Sequence, residues 1–260
     1  MTIIEKPVKN FKIKKKLLDV KVIKREDITN DLLKIWIEKP DEYTFKPGQY
    51  CTIGINGIER AYSIVSAPHE ADLELFVELV PESEGGALTP LIWELTTRDT
   101  VTIRPRAKGI FIFNDQWKNH LLVSTVTGVV PYVSFVRDYI RKIENQEIQT
   151  NQHKMHVLMG ASYLDEFSYD VELKSAADKY PDLVTFIPTV SRPDEPKNSA
   201  WFGATGRVNE IVGDYINDNE LSYDDTLIYA CGHPGMIEDV KDKMIPLGFT
   251  IDEERFWKED

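Results

Sequence analysis

The sequence predicts a two-domain fold, an N-terminal antiparallel β-barrel followed by a C-terminal α/β domain with a parallel sheet. Short strand-like runs separated by turn signals fill residues 17–113, and buried strands then alternate with amphipathic helices. A length of 260 residues also suffices for two ordinary domains. We therefore expect three parts in chain order, namely a basic arm (1–16), a barrel domain (17–116) and an α/β domain (117–260).

The first half is predicted to be rich in β-strands. Its strand-like runs are LLDVKVIK, LLKIWIEK, YCTIGI, AYSIVS, LELFVELV and DTVTIRP. Turn residues separate them in KPDEY, KPGQ, INGIER and SEGGAL. Several short strands at such regular spacing are typical of an antiparallel barrel.

The second half has a different period. LLVSTV, HVLMG, LVTFIPTV and TLIYACG are typical of buried strands, and each is followed by a segment with helical spacing. The first of these helices begins with Pro131, a residue that is favourable in a first helical turn. A βαβ series of this kind predicts a parallel sheet with helices on both faces.

Composition excludes several classes of function. A net charge of −12 argues against nucleic acid as a main partner, because phosphate binding needs a basic face. No apolar run approaches the length of a membrane span, and the N-terminus lacks the apolar core of a signal peptide. Cys51 and Cys231 are too far apart in sequence for a CxxC metal site, and the histidines lack metal-binding spacing. We expect a cytoplasmic, reduced protein without a metal site.

Charge is unevenly distributed along the chain. Residues 1–16 contain six lysines and a single acid, a net charge of +5, which leaves −17 on the remainder. Such a segment is either a solvated extension or a docking arm for an acidic partner. The sequence leaves both interpretations open.

The stretch RAYSIVSAP (60–68) combines a cation, an aromatic ring and a hydroxyl within one predicted strand. Residues two apart in a strand share a face, so Arg60 and Tyr62 are expected to point the same way. Together they could hold an anion beside a flat ring. Ser63 begins on the opposite face and needs a local bend to join them.

Three predicted strand ends of the second half carry residues suited to a nucleotide. STVTGVVP is a small, hydroxyl-rich turn into a helix N-terminus, where backbone N–H groups suit a pyrophosphate. Gly160-Ala161 and Cys231-Gly232 end two further strands. Because ligands of open parallel sheets bind beyond the carboxyl ends of the strands, these residues predict a nucleotide crevice.

Two arginines lie at similar positions. Arg192 follows one predicted strand, and Arg207 opens the next helix. A pair of guanidinium groups at such ends could bind a phosphomonoester. They could equally be surface arginines paired with neighbouring acids, for which the candidates are Asp194, Glu195 and Glu210.

Taken together, these segments resemble the ferredoxin–NADP reductase family, in particular its short bacterial ferredoxin/flavodoxin reductases, over nearly all of residues 17–257. RAYS is similar to the family's Arg-x-Tyr-Ser flavin motif, and GGALTPLI (85–92) to its second flavin segment. TVTGVVPY is similar to the nucleotide turn, and CGHPGM to Cys-Gly-x-Pro-x-Met. VSR and TGR resemble the segments whose arginines bind the 2′-phosphate of NADP.

The resemblance implies FAD and NADP(H) as cofactors. Arg60 would hold the FAD pyrophosphate, Tyr62 would stack on the isoalloxazine, and Ser63 would lie near flavin N5. Cys231 would line the nicotinamide pocket, and with Tyr62 and Ser63 it completes the implied catalytic set. The other FAD contacts implied are Ala61, Gly86, Leu88, Thr89 and Trp257, and the NADP contacts are Thr127, Gly128, Ser191, Arg192, Arg207 and Gly232.

The sequence departs from the family pattern at three places. Val126 replaces the first glycine of the nucleotide turn, and Ser162 stands where short bacterial members often have an arginine. The C-terminal aromatic pair Phe256-Trp257 is followed by three further residues, 258–260. We expect no plant-type iron–sulfur domain within this sequence, because its two cysteines could not build one.

The function implied is hydride exchange with NADP(H), preferred over NAD(H), coupled to one-electron exchange with ferredoxin or flavodoxin, which are usually acidic. One alternative is an NAD(P)H-dependent reductase component of an oxygenase, or a free-flavin reductase. Another is an FAD-binding redox sensor or electron-transfer subunit with weak nucleotide turnover, which Val126 favours. Neither nucleic acid nor a membrane is an expected partner.

Overall fold

The computed structural model describes residues 17–255, so the predicted basic arm (1–16) and the predicted FAD contact Trp257 lie outside the described residues. The first sheet is antiparallel with strand order β4-β3-β6-β1-β2-β5. A hydrogen bond from Val65 N to Glu74 O (2.9 Å) links its two edges, which nearly closes the barrel. Its strands are β1 (Leu18–Asp27), β2 (Leu32–Glu38), β3 (Tyr50–Ile55), β4 (Ile58–Ser63), β5 (Asp72–Glu78) and β6 (Thr100–Ile103).

The hairpin between β3 and β4 is tighter than the sequence suggested. Asn56 and Gly57, with φ of 51° and 83°, form a two-residue turn in which Ile55 pairs with Ile58. Positive φ at both central residues matches the right-handed twist of the flanking strands. The turn predicted within INGIER is therefore present but is confined to Asn56 and Gly57, because Ile58–Arg60 already belongs to β4.

The second sheet is entirely parallel with strand order β10-β9-β8-β7-β11-β12. Helices α2 (Val130–Glu144) and α3 (Asp170–Lys179) cover one face, and α4 (Val208–Asp218) and α5 (Pro234–Met244) cover the other. The predicted two-domain fold class is thus confirmed. The strands are β7 (Asn119–Thr125), β8 (Lys154–Ala161), β9 (Val184–Val190), β10 (Ala204–Thr205), β11 (Thr226–Gly232) and β12 (Thr250–Arg255).

Three elements were absent from the sequence prediction, one of them the two-residue strand β10. The five-residue helix α1 (Thr89–Trp93) follows the barrel strand β5, and β12 forms the edge of the parallel sheet beside β11. Ile251 is the only apolar residue of β12, so the strand lacks the alternation of apolar and polar residues that marks a half-buried strand. The strand forms because its backbone pairs with β11, which its sequence pattern does not indicate.

The two sheets share a hydrophobic core. Leu32, Val65 and Phe76 of the barrel belong to the same buried cluster as the residues beneath α2. In the segment between the sheets, Phe111 meets Tyr229 edge to face, with ring centroids 5.3 Å apart. Continuous packing of this kind fixes the cavities that lie between the sheets. None of the helices in residues 17–255 is long and apolar enough to cross a membrane.

Candidate active site

A first cavity of about 590 Å³, here called the barrel cavity, opens between β4, the segment before α1, and the parallel sheet. The structure brings together in this cavity most of the residues expected to hold FAD, although they come from two separate segments. Those residues are Arg60, Ala61, Tyr62, Ser63, Gly86, Leu88 and Thr89.

Strand β4 presents the side chains of the predicted site in different ways. Arg60 is exposed, and the only hydrogen bond of its side chain among the described residues goes to the Glu59 carbonyl (2.8 Å), which leaves most of the guanidinium free. The Tyr62 ring is half-buried beside Cys51, its partner in β3. Ser63 is buried, with 8% of its surface exposed, yet it reaches the same cavity.

The segment before α1 is folded tightly against the end of β5. A Cβ atom at Gly86 would lie 1.7 Å from the Val80 carbonyl oxygen, so no side chain fits there. The Thr89 hydroxyl accepts from Val80 N (3.0 Å) and donates to Val80 O (2.9 Å). These contacts hold the glycine-rich wall of the cavity in place without a ligand.

Glu254 is a site residue that sequence reasoning missed. It lies on β12 and enters the barrel cavity, where its Oε2 accepts a hydrogen bond from Ser63 Oγ (3.2 Å). Burial raises the pKa of Glu254 to about 7, although the Ser63 bond opposes the shift. The sequence feature that could have pointed to Glu254 is its position just before the aromatic pair 256–257, which was itself expected near the flavin.

A second cavity of about 620 Å³, here called the sheet-edge crevice, lies beyond the carboxyl ends of the parallel strands. This is where ligands of open parallel sheets bind, because the strand order reverses around β7. His233 caps α5 there, its ring Nδ1 accepting from Gly235 N (3.0 Å). The predicted residues that line the crevice are Thr127, Ser191, Arg192, Arg207 and Gly232.

The two arginines reach the crevice from neighbouring segments. Thr189 Oγ1 donates to Gly206 O (2.8 Å), which holds the turn before α4 against the end of β9. Arg192 donates to the Tyr163 hydroxyl (2.8 Å) and lies 3.5 Å from Glu195, whereas no ion pair of Arg207 is seen within residues 17–255. The surface pairing considered for both arginines therefore occurs for Arg192.

The nucleotide turn is packed against the end of β11. A Cβ atom at Gly128 would lie 2.2 Å from the Cys231 carbonyl oxygen, which explains why a glycine stands there. Val126 adopts φ of 40°, a strained conformation for a β-branched residue. Val126 thus adopts the positive φ that a glycine would adopt more easily at this position.

Cys231 and Gly128 lie beneath the surface of the site. The Cys231 side chain is fully buried, and burial raises the pKa of its thiol well above the ordinary value. Neither residue lines the two cavities formed by residues 17–255. The contact of Cys231 with a nicotinamide, like the other assigned roles, therefore stays a prediction.

The two cavities meet at a shared wall. Glu78, at the end of β5, and Thr127, in the nucleotide turn, line both of them. Glu78 carried no signal in the sequence, because it reads as one polar residue of an ordinary strand. Glu78 and Thr127 are therefore within reach of a ligand in either cavity.

Comparison with known proteins agrees with this arrangement. Residues 122–242 match the family described as "Oxidoreductase NAD-binding domain". The flavodoxin/ferredoxin–NADP reductase of Buchnera aphidicola is 26% identical over 243 residues, covering 88% of this chain and 90% of that protein. The chain is therefore similar to ferredoxin–NADP reductases over most of its length.

The similar proteins differ in their named roles. The phenol hydroxylase P5 protein of Acinetobacter pittii is 29% identical over 84% of this chain but extends further, since only 58% of its length is matched. Among solved structures, a ferredoxin NADP+ reductase from Neisseria gonorrhoeae with bound FAD and NADP has a TM-score of 0.77. At 22% identity, covering 93% of this chain and 99% of that one, it establishes the fold.

Proposed function

We propose that this protein is an FAD-dependent ferredoxin/flavodoxin–NADP+ reductase. The observation that carries the proposal is the contact between the two cavities, which share Glu78 and Thr127. Hydride exchange between a flavin and a nicotinamide needs the two rings in contact, and one cavity for each would provide it. The named reductases among its relatives support the same activity.

The residues of the barrel cavity fit FAD. The half-buried Tyr62 ring offers an apolar face for stacking on a flat ring, and the largely free guanidinium of Arg60 suits a pyrophosphate. The small residues at 85–87 allow backbone N–H groups to approach phosphate oxygens. When bound, the flavin supplies the exchange between two-electron and one-electron chemistry.

The sheet-edge crevice fits a pyridine dinucleotide. Backbone N–H groups of the turn over Val126–Val129 lie at the entry to α2, a favourable place for a pyrophosphate. Arg192 and Arg207 provide cations for a 2′-phosphate at the other end of the crevice. We therefore propose NADP(H) as the preferred nucleotide.

Ser63 and Glu254 are proposed to hold a proton beside the flavin. The Ser63 hydroxyl donates to Glu254 Oε2, and the raised pKa of Glu254 leaves this carboxyl able to exchange a proton near neutral pH. The buried position of Ser63 keeps this hydrogen bond away from bulk water.

The decisive experiment is anaerobic reduction of the purified, FAD-loaded protein. We expect NADPH to bleach the flavin absorbance faster than NADH, and the reduced protein to pass electrons to a ferredoxin or a flavodoxin. A protein that binds no FAD, or whose flavin neither nucleotide reduces, would contradict the proposal.

A specific observation favours one alternative, an FAD-binding electron-transfer subunit with weak nucleotide turnover. Val126 places a branched side chain, in a strained backbone conformation, in the turn expected to meet the pyrophosphate. If this side chain limits turnover, Val126→Gly will raise the rate of flavin reduction by NADPH at least tenfold. An unchanged rate favours the reductase.

The relatives also support a second alternative, a reductase that feeds an oxygenase. It would use the same two cavities, so the acceptor has to be identified directly. Transfer from the NADPH-reduced protein to a ferredoxin, a flavodoxin and free FMN, measured side by side, distinguishes these roles. Faster transfer to free FMN than to either protein would contradict the ferredoxin/flavodoxin assignment.

A further inference from the structure

One face of β5 points toward the parallel-sheet domain. Leu73, Leu75 and Val77 pack into the barrel core, so the alternate residues Glu74, Phe76 and Glu78 share the opposite face. Phe76 packs edge to face on Tyr169 of the second domain, with ring centroids 5.6 Å apart. Two carboxylates therefore flank a hydrophobic contact between the domains.

The first of these carboxylates is fully paired. Glu74 is buried, but its oxygens accept from Arg137 Nη1 (2.7 Å) and from the Tyr169 hydroxyl (2.8 Å). Arg137 also binds Glu172, with Nε to Oε1 at 2.7 Å. The cation Lys34 is engaged nearby, donating to Ser168 O (2.6 Å) above the Tyr169 ring. Arg137 and Lys34, the cations described at this face, are thus engaged near Glu74 and not at Glu78.

The second carboxylate, Glu78, has no such partner. Within residues 17–255 its side chain makes no hydrogen bond or ion pair, although it is half-buried and lines both cavities. Acids approach it from two elements. Asp31 lies in the β1–β2 turn, and its backbone carbonyl accepts a hydrogen bond from Leu79 N (2.8 Å). Glu166 lies in the short helix after β8.

The charges facing Glu78 from the cavities are mixed. Burial first, and then the acids Asp31 and Glu166, raise the pKa of Glu78 to about 7. The other titratable or charged groups that share its two cavities are Arg60, Tyr50, Tyr62, Glu84, Glu254 and Arg255 on the barrel side, and Arg192, Arg207 and His233 in the crevice.

A dinucleotide would change this balance. This inference rests on the proposed function, in which the crevice binds a ligand that carries at least two negative charges on its pyrophosphate. An ionised, unpaired Glu78 in the same cavity would repel that ligand, whereas a protonated carboxyl removes the repulsion and offers a hydrogen-bond donor. We propose that Glu78 takes up a proton when a pyridine dinucleotide enters the crevice, so that nucleotide affinity is linked to pH through this residue.

The sign of the effect follows from linkage. If the bound state requires protonated Glu78, affinity is constant below the pKa of the free carboxyl and falls above it, about tenfold for each pH unit. Between about pH 6 and pH 8 the wild-type Kd should therefore rise about tenfold. Glu78→Gln keeps the shape of the protonated side chain, so it should bind about as tightly as wild type at pH 6 and about tenfold more tightly at pH 8.

The test is calorimetric titration of the oxidised, FAD-loaded protein with NADP+ at about pH 8. Repeating it in two buffers of different ionisation enthalpy counts the protons taken up. NAD+ is titrated in parallel because it lacks the 2′-phosphate, which itself titrates with a pKa near ~6. Glu94→Gln, at an exposed position that lines neither cavity of the described residues, is the matched control.

We expect close to one proton to be taken up by wild type and by Glu94→Gln with either nucleotide, and close to none by Glu78→Gln. Glu78→Ala, which also lacks the carboxylate, should lose the uptake as well and guards against a defect peculiar to glutamine. Uptake that persists in both Glu78 variants, or a wild type that takes up no proton, would overturn the inference. If neither nucleotide binds to wild type at any pH, the proposed function fails with it, whereas binding without Glu78-dependent uptake overturns this inference alone.

Discussion

The barrel cavity and the sheet-edge crevice meet at Glu78 and Thr127, but they are built differently. In the barrel cavity, the predicted contacts come from two short segments, 60–63 and 86–89, held by backbone pairing and by the Thr89–Val80 bonds. In the crevice, the predicted contacts come from the ends of separate strands and the turns after them, and both arginines are exposed.

This difference predicts how each region responds to substitution. Substitutions in the barrel cavity should change stability and flavin retention together, because its walls are already packed without a ligand. Changes to the charged residues of the crevice should alter affinity alone, because exposed side chains contribute little to folding. The following predictions test that division, from the largest expected effect to the smallest.

The largest effect is expected for Gly86→Ala. The new methyl group would meet the Val80 carbonyl oxygen, so the backbone must shift, at a cost of about 2–3 kcal/mol in the free energy of unfolding. The same shift deforms the cavity wall, and the purified protein should lose its FAD. Urea unfolding and the flavin-to-protein absorbance ratio measure the two effects.

Gly85→Ala is the matched control for that experiment. Gly85 has φ of 84°, but nothing lies within 4 Å of a Cβ atom there, so only conformational strain opposes the substitution. We expect a loss of about 1 kcal/mol with the flavin retained. Equal losses in the two variants would contradict the packed-wall interpretation.

Tyr62→Ala should follow in size. Loss of the stacked ring should weaken FAD binding by roughly 1–3 kcal/mol, or about 10- to 100-fold in Kd, by analogy with stacking of bases on aromatic side chains. Equilibrium titration of the flavin-free protein with FAD measures the change. Tyr62→Phe keeps the ring and should stay close to wild type, so a comparable loss in both variants would assign the effect to the hydroxyl instead.

In the crevice, Arg192→Ala and Arg207→Ala should each raise the KM for NADPH about tenfold, the value of one exposed charge-assisted contact, and leave the KM for NADH nearly unchanged. Arg207 should show the larger effect, because Arg192 is already engaged with Tyr163 and Glu195. Neither substitution should lower the melting temperature. Arg141→Ala, an exposed arginine on α2, is the control, and equal effects on both nucleotides would refute the 2′-phosphate assignment.

The sequence predicted parts of both regions, through different signals. In the barrel, RAYS and the segment 85–92 are contiguous, so a motif contains the residues that converge. The strand ends of the crevice could be inferred because parallel strands finish at one edge of a sheet. In both cases local sequence carried the information.

Residues that enter the site through tertiary pairing escaped prediction. Glu254 depends on β12, a strand that pairing with β11 creates from a charged segment. Glu78 gains its position only because the barrel packs against the parallel sheet, which one strand's pattern does not encode. Similarly, the burial of Cys231 beneath Gly128 follows from a close backbone contact between segments about a hundred residues apart.

The last effect is expected at Glu254, whose contribution to stability should depend on pH. Burial raises the pKa of this carboxyl from an ordinary 4.5 to about 7, so the folded state favours its protonated form. The resulting stabilisation is complete below the ordinary value and is lost as pH rises through about 7. Glu254→Gln should therefore gain about 1–2 kcal/mol relative to wild type between pH 5 and pH 8, measured by urea unfolding of the flavin-free protein. Ser63→Ala removes the hydrogen bond that opposes the shift, so it should lose more stability than wild type over the same interval. A difference between Glu254→Gln and wild type that stays constant across this range would mean that Glu254 keeps an ordinary pKa, and that the barrel cavity is wetter than its packing indicates.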